Sequence, residues 1–482
     1  MVGWASGGGL MMMALAVLWP LLPTADSPAW RNDAANLRLV AAWGAYLEQT
    51  PLSDDYGGDS ISDDVPIRLE WSVGSDMPIG WKNGVACRFG DTVVTAGGLV
   101  EGSAVWEPAM DRPGFNLSSK TLRTVALAYN LTTETWSALP ASPPFVPGRT
   151  QGCCSTKPGA EAMFIVSGGD AGICASRPEA CSEPSIRGNV TVLTRSGSGW
   201  NWGTLPPLPP DGERMVGAAG LVDGEWLLLT GGAQIDPGAD PGSKHQQRRA
   251  VPDYRLRLRT QADSSGFAAA SGWERMATHP LSNTTSGLTL PLGGALGRFW
   301  FQFGGQTADA KRAAAFLKLK NVCAGLPDCR GSWPITDASG GLYMPRQAFR
   351  YDVDNDQWTA IASLPRPMQG GGAQQVLALG RNYLALLGTS QDESFRVGAQ
   401  LPTFHQQGPP GAARYYGDYI YLYDATTDRY SRAGKLLYGT GTCSWVAADA
   451  NASRILGFGG EPMHGFNHNS ETAVQVADVA WV

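Results

Sequence analysis

The feature that most constrains this chain is a short apolar run ending in a glycine pair, which recurs along its length. It reads TVVTAGG (Gly97, Gly98), MFIVSGG (Gly168, Gly169), WLLLTGG (Gly231, Gly232), FWFQFGG (Gly304, Gly305) and RILGFGG (Gly459, Gly460); a sixth copy, LALLGTS, keeps only Gly388. After a variable insertion come a strand-like stretch, a polar turn and an aromatic: ALAYNLTTETWSALP (Trp136), SGSGWNWGTLPPLP (Trp200, Trp202), SGWERMATHP (Trp273), FRYDVDNDQWTAIASLP (Trp358) and IYLYDATTDRYSRAG (Tyr430). Recurrence of this kind marks a repeat architecture, in which a unit that cannot bury its own apolar faces packs against its neighbours. The 61 glycines and 33 prolines agree with many short elements joined by turns.

These residues resemble the kelch repeat family, whose motif joins an apolar run, a glycine pair, a Tyr before a polar turn, and a Trp. The resemblance runs from Pro66 to the C-terminus and departs from the motif at Gly388, at Tyr430 in place of Trp, and in the long turn of the third copy. It implies an all-β fold, a six-bladed kelch β-propeller with one four-stranded blade per copy. The last copy ends in TAVQVADVAWV, one strand short, while VPIRLEWSVGSDMP around Trp71 supplies an unpaired strand at the other end. An N-terminal strand pairing with the C-terminal blade would close the ring and remove both exposed sheet edges.

Ahead of the propeller (66–482), residues 1–27 read as a secretory signal peptide, with an apolar core from Leu10 to Leu22; an uncleaved signal anchor is the alternative. Residues 28–65 read as a short helix, with Leu37, Val40, Trp43 and Leu47 at helical spacing, followed by an acidic linker carrying Asp54, Asp55, Asp59, Asp63 and Asp64. The linker reads as a solvated segment, with a calcium-binding strip as the other reading. Five sequons, at Asn116, Asn130, Asn189, Asn283 and Asn451, fit N-glycosylation and export. Of eight cysteines, Cys174 with Cys181 and Cys323 with Cys329 have the spacing of small disulfide-closed loops. Cys87, Cys153, Cys154 and Cys443 fall in first strands near the channel, where they either bridge or remain buried thiols. The adjacent Cys153 and Cys154 point to opposite faces of a strand and are not expected to pair together. A net charge of -6 with 17% charged residues leaves no basic stripe for a phosphate backbone, so nucleic acid is excluded as a partner.

In a four-stranded meander, the links between second and third strands share a face with the links between blades. Nearly all the excess length sits there, roughly in 99–121, 170–186, 233–252, 306–345, 389–416 and 461–471, and long loops on a rigid scaffold carry recognition. Within them, Glu461, His464 and His468 bring a carboxylate and two imidazoles into one loop, a set suited to a divalent metal, with ordinary polar surface as the other reading. No other cofactor is indicated. Asp352, Asp354 and Asp356 imitate the start of a calcium loop but lack its Gly and distal Glu, and they fall on the repeat's own turn. Arg149 and Arg214 occupy matching positions at the start of first strands, suited either to an acidic sugar or to neighbouring loop carbonyls. With His405 they complete the candidate binding residues.

The expected function is non-catalytic recognition of an extracellular protein or glycan by a secreted monomer. A carbohydrate-active enzyme resembling sialic acid mutarotases and a structural matrix or wall protein are the alternatives.

Overall fold

In a computed structural model the chain forms a six-bladed β-propeller. The structure describes the blades between Ile61 and Val482; outside the described residues lie 1–60, most of 102–119, 141–150, 167–187, 236–247, 261–266, 309–341, 392–418, 463–471 and several shorter stretches. The expected helix in 28–65 and the small disulfide loops fall among those and are not described.

Blades 1 to 5 are antiparallel meanders in chain order. Blade 1 is Val85–Phe89, Thr92–Ala96, Leu127–Asn130 and Trp136–Ala138. Blade 2 is Gln151–Ser155, Ala162–Val166, Val190–Ser196 and Gly199–Leu205. Blade 3 is Ala218–Val222, Trp226–Thr230 and Tyr254–Thr260, with a fourth strand split into Phe267–Ala269 and Glu274–Arg275 around its long turn. Blade 4 is Leu292–Leu296, Phe299–Phe303, Ala348–Asp352 and Gln357–Ile361. Blade 5 is Val376–Leu379, Tyr383–Leu386, Tyr419–Asp424 and Arg429–Lys435.

Blade 6 is built from both ends of the propeller. Its first three strands are Ser444–Ala447, Arg454–Phe458 and Val474–Trp481, and its fourth is the N-terminal Ile67–Val73. The pairing is antiparallel and continuous from Ile67 opposite Trp481 to Val73 opposite Gln475. Each innermost strand contacts those of both neighbouring blades, blade 6 touching blade 1, so the ring is closed.

Burial follows position in the blade. The second strand of blade 2, Ala162–Val166, is buried at every residue because blades cover both of its faces. The fourth strand of blade 4, Gln357–Ile361, is half-buried or exposed throughout. Tryptophan fills the wedge between blades where glycine makes room. Trp300 of blade 4 is 1% exposed. It lies where a Cβ on Gly220 of blade 3 would come within 2.0 Å of its ring, and one on Gly293 within 2.2 Å. Its indole donates to the Thr230 hydroxyl at 3.2 Å.

A second device ties blades 1, 3, 4 and 5 each to the one before it. The aromatic of the fourth strand donates to a backbone carbonyl just past the fourth strand of the preceding blade. Trp136 reaches Ser75 at 3.0 Å, Trp273 reaches Pro206 at 2.8 Å, Trp358 reaches Ala277 at 2.9 Å, and Tyr430 reaches Ala362 at 2.9 Å. Tyr430 thus performs the task of the missing Trp. The polar turn before this aromatic adds a reciprocal bond. Asp356, at a φ of 50°, accepts from Tyr351 of its own blade at 2.6 Å and from the Ala277 amide of blade 3 at 2.8 Å. Asp428 does the same with Tyr423 and the Ala362 amide, each at 2.8 Å.

His279 sits in the link between blades 3 and 4, 1% exposed, with its ring edge-on to Phe349 and Trp358 at 4.8 and 4.5 Å. Its Nδ1 accepts from the Leu281 amide, which places the ring proton on Nε2, a buried atom with no partner. Burial holds its pKa down to about 3.

Two outcomes are expected. Deleting 66–76 removes the fourth strand of blade 6 and abolishes cooperative folding; a cooperatively melting deletion would overturn the closure scheme. For His279, the folded state refuses a proton that the unfolded chain accepts, so its contribution is complete above about pH 6.5 and lost as pH falls toward 3. Between pH 7 and 5 the wild type should therefore lose about 2 kcal/mol more stability than a His279→Phe variant, measured by urea unfolding at each pH.

Candidate functional site

Where they are described, the insertions leave the blades in β-pairings on one face, turned out by the glycines that precede them. Gly304 and Gly305 have φ values of 51° and 105°, and Gly459 and Gly460 have 60° and 109°. A Cβ on Gly304 would stand 2.2 Å from the Met368 carbonyl, and one on Gly460 would stand 2.1 Å from the Thr440 hydroxyl, so only glycine fits.

Beyond the glycines the chain pairs again. In blade 5, Ser390–Gln391 pairs with Met368–Gln369 of the incoming link, and in blade 6, Glu461–Pro462 pairs with Thr440–Gly441. Single bridges make the same contact in blade 1, Lys82 with Leu99, and in blade 4, Thr289 with Gln306. The links between blades and the insertions therefore share a face. The insertions of blades 1, 3 and 4 begin and end as paired arms: Leu99–Glu101 with Lys120–Leu122, Ala233–Ile235 with Arg248–Ala250, and Thr307–Ala308 with Leu342–Tyr343. The opposite face carries the short turns, with the longer connection between Thr260 and Phe267 of blade 3 as the exception.

The inner strands are tied together by a feature the sequence left open. Cys87 of blade 1 and Cys154 of blade 2 form a disulfide, with Cα atoms 5.5 Å apart. Gln374, just before the first strand of blade 5, donates to Cys154 Sγ at 3.0 Å and accepts from the Ala86 amide at 3.3 Å, reaching two blades across the ring. The Ser444 hydroxyl of blade 6 donates to the Gly84 carbonyl at 2.6 Å. Cys153 and Cys443 are buried free thiols, and burial pushes both far above the usual thiol range, so neither supplies a thiolate nucleophile.

Arg214 is fully buried. Its guanidinium donates to the carbonyls of Gly212 at 2.9 Å, Leu229 at 3.2 Å, Gly231 at 2.8 Å and also Pro252, and it lies 3.5 Å from Asp253. Asp253 in turn accepts from the Gly231 amide at 2.8 Å. Burial pushes the Asp253 carboxyl upward, against the pull of Arg214 and of that amide. The pair braces the glycine turn of blade 3 from beneath. Of the two readings of Arg214, the structure places it with the loop carbonyls and leaves no surface for a ligand; Asp253, its partner, carried no signal in the sequence.

The remaining candidates divide as follows. Glu461 lies in the ribbon of blade 6, its backbone paired with Gly441. Arg149, His405, His464, His468, Cys174, Cys181, Cys323, Cys329, Asn116 and Asn283 lie outside the described residues. Among the described residues, no three His, Cys, Asp or Glu side chains gather to hold a metal. The aspartates of the imitation calcium loop have protein partners: Asp352 and Asp354 face Arg298 at 2.6 and 3.0 Å, and Asp356 holds the inter-blade bond. Asn130 and Asn451 lie on the short-turn face; Asn130 caps its turn by accepting from the Thr132 and Thr133 amides at 2.8 and 2.9 Å, and Asn451 is exposed. Asn189 precedes the third strand of blade 2 on the loop face and is half-buried.

The disulfide closes a loop 67 residues long by sequence separation. For a loop of that length the chain-entropy model gives a stabilisation of about 4 kcal/mol. A Cys87→Ser, Cys154→Ser variant should therefore melt well below the wild type under non-reducing conditions, and a reducing agent should lower the wild type by more than it lowers the variant. No family model matches this chain, and no curated protein matches it.

Proposed function

We propose that the chain is a secreted kelch-type propeller that recognises an extracellular protein or glycan with the arms of its loop face. The observation that carries this reading is the asymmetry of the scaffold: glycine-turned ribbons on one face and short turns on the other. A closed ring holds these arms at fixed relative positions, and their length adds little entropic cost, the arrangement in which loops carry binding.

The kelch assignment is supported by the roles found for its motif positions, the glycine pair turning the insertion out and the Tyr, turn acid and aromatic tying neighbouring blades. Export is supported by the cross-blade disulfide, a bond that persists in oxidising compartments. In an exported chain, glycans on Asn130 and Asn451 would occupy the short-turn face, while the sequon at Asn189 lies on the loop face. An acidic-sugar cradle built on paired Arg149 and Arg214 is disfavoured by the burial of Arg214.

The test places the secreted protein on glycan and extracellular-protein arrays, beside two variants. In one, 309–341 and 392–418 are replaced by short Gly-Ser links; in the other, His464 and His468 are both alanine. A ligand bound by the wild type and lost on shortening, with the melting transition retained, supports the reading. Loss in the histidine variant as well, with a zinc-dependent thermal shift, would locate a metal in that recognition. Binding that survives shortening, or no binding on either array, would overturn it.

A further inference from the structure

Blade 5 carries a strand that its meander does not supply. Outside Arg429–Lys435, Ile61–Ser62 runs parallel to it, Ile61 opposite Tyr430 and Ser62 opposite Ser431. Among the described residues no other blade has a strand beyond its fourth. From there the chain crosses to blade 6, where Ile67–Val73 becomes the closing strand, itself in contact with Arg429–Lys435. The edge it runs along is basic. Arg429, Arg432 and Lys435 are exposed. Arg432 and Lys435 both lie over the Tyr419 ring, at 4.6 Å from its centroid. The chain that reaches this edge is acidic, with Asp54, Asp55 and Asp59 before Ile61 and Asp63 and Asp64 after Ser62.

We infer that the outer edge of blade 5 is a strand-addition site and that its occupant is this chain's own acidic segment, 54–64. Two considerations carry the assignment. An unpaired outer strand presents a row of free N–H and C=O groups, a template for any extended chain, and Ile61–Ser62 shows the chain's own segment already using it in a parallel register. Two paired residues alone hold a strand weakly, and charge supplies the rest: the edge bears three cations and the segment bears five carboxylates, on both sides of Ile61–Ser62 in sequence. The acidic stretch is then a strap that covers an edge and fastens blade 5 to the closing strand of blade 6. This inference is independent of the recognition proposed for the loop face.

Hydrogen exchange of the full-length protein tests it, read at the amides of 429–435 with those of Tyr419–Asp424 as an internal control. In the wild type the outer-strand amides should be protected at low salt and exchange about tenfold faster in about 0.5 M NaCl, the size that two or three exposed ion pairs supply. The same loss at low salt is expected in two variants: one with Asp54, Asp55, Asp59, Asp63 and Asp64 all changed to Asn, the other with Arg432→Glu and Lys435→Glu. The control strand should not change. Combining Arg432→Glu and Lys435→Glu with lysine at the five aspartates should restore protection. Protection indifferent to salt and to both sets of substitutions would overturn the inference. So would protection that rises with protein concentration, which would assign the edge to a second copy of the chain. If a variant loosens the control strand as well, the salt dependence of the wild type decides alone.

Discussion

The backbone ladder between Ile67–Val73 and Val474–Trp481 is the interaction on which the rest of the structure depends. A row of blades left open would end in two bare sheet faces, each presenting a core with nothing to cover it. By lending its first strand to its last blade, the chain turns six sheets into a ring in which every inner strand has a neighbour on each side. The seam is packed as well as hydrogen-bonded. Trp71 meets Trp445 edge-on at 6.0 Å, and Trp136 of blade 1 donates to Ser75, just beyond the closing strand. The bond that joins blade 1 to blade 6 is thus of the same kind that joins blade 4 to blade 3.

That repetition explains why so few residue types define the repeat. An outer strand has little apolar area to offer its neighbour, so cohesion at the rim comes from directional bonds: an indole or phenol to a carbonyl, and a turn carboxylate to an amide. Nearer the axis, cohesion is apolar, with Trp300 seated over two glycines and the second strand of blade 2, Ala162–Val166, buried throughout. At the axis it is again specific, with the Cys87–Cys154 disulfide and Gln374 spanning blades. A scaffold fixed at rim, middle and axis leaves its variation to the insertions, and in blades 1, 3, 4 and 6 the glycine pairs deliver these to the same face.

Much of this was legible beforehand, for identifiable reasons. The glycine pairs, the number of copies and the donated strand could be read because each is a local pattern whose meaning depends on backbone geometry alone. The placement of Arg214 could not. An arginine before a first strand looks the same whether it faces a ligand or the carbonyls of Gly212, Leu229, Gly231 and Pro252, and only the position of Asp253 beneath the turn separates the two. The pairing of Cys87 with Cys154 was equally hidden: their residues are far apart in sequence, and the choice among four inner-strand cysteines rests on which side chains face each other across a blade boundary.

The sequence by itself determined the class of fold, the number of blades and the way the ring closes, since periodic apolar runs, glycine pairs and turn-flanking aromatics act through neighbours in the chain or through one repeated contact. The tertiary structure alone decided which polar groups are structural: the buried Arg214, the braced Asp253, the inert thiols of Cys153 and Cys443, and the turn aspartates held by Arg298 and Ala277. The physical reason is that burial and partner geometry are set by residues brought together from different blades. A polar side chain shows whether it is free to bind or already spent on the fold only when those residues are in place.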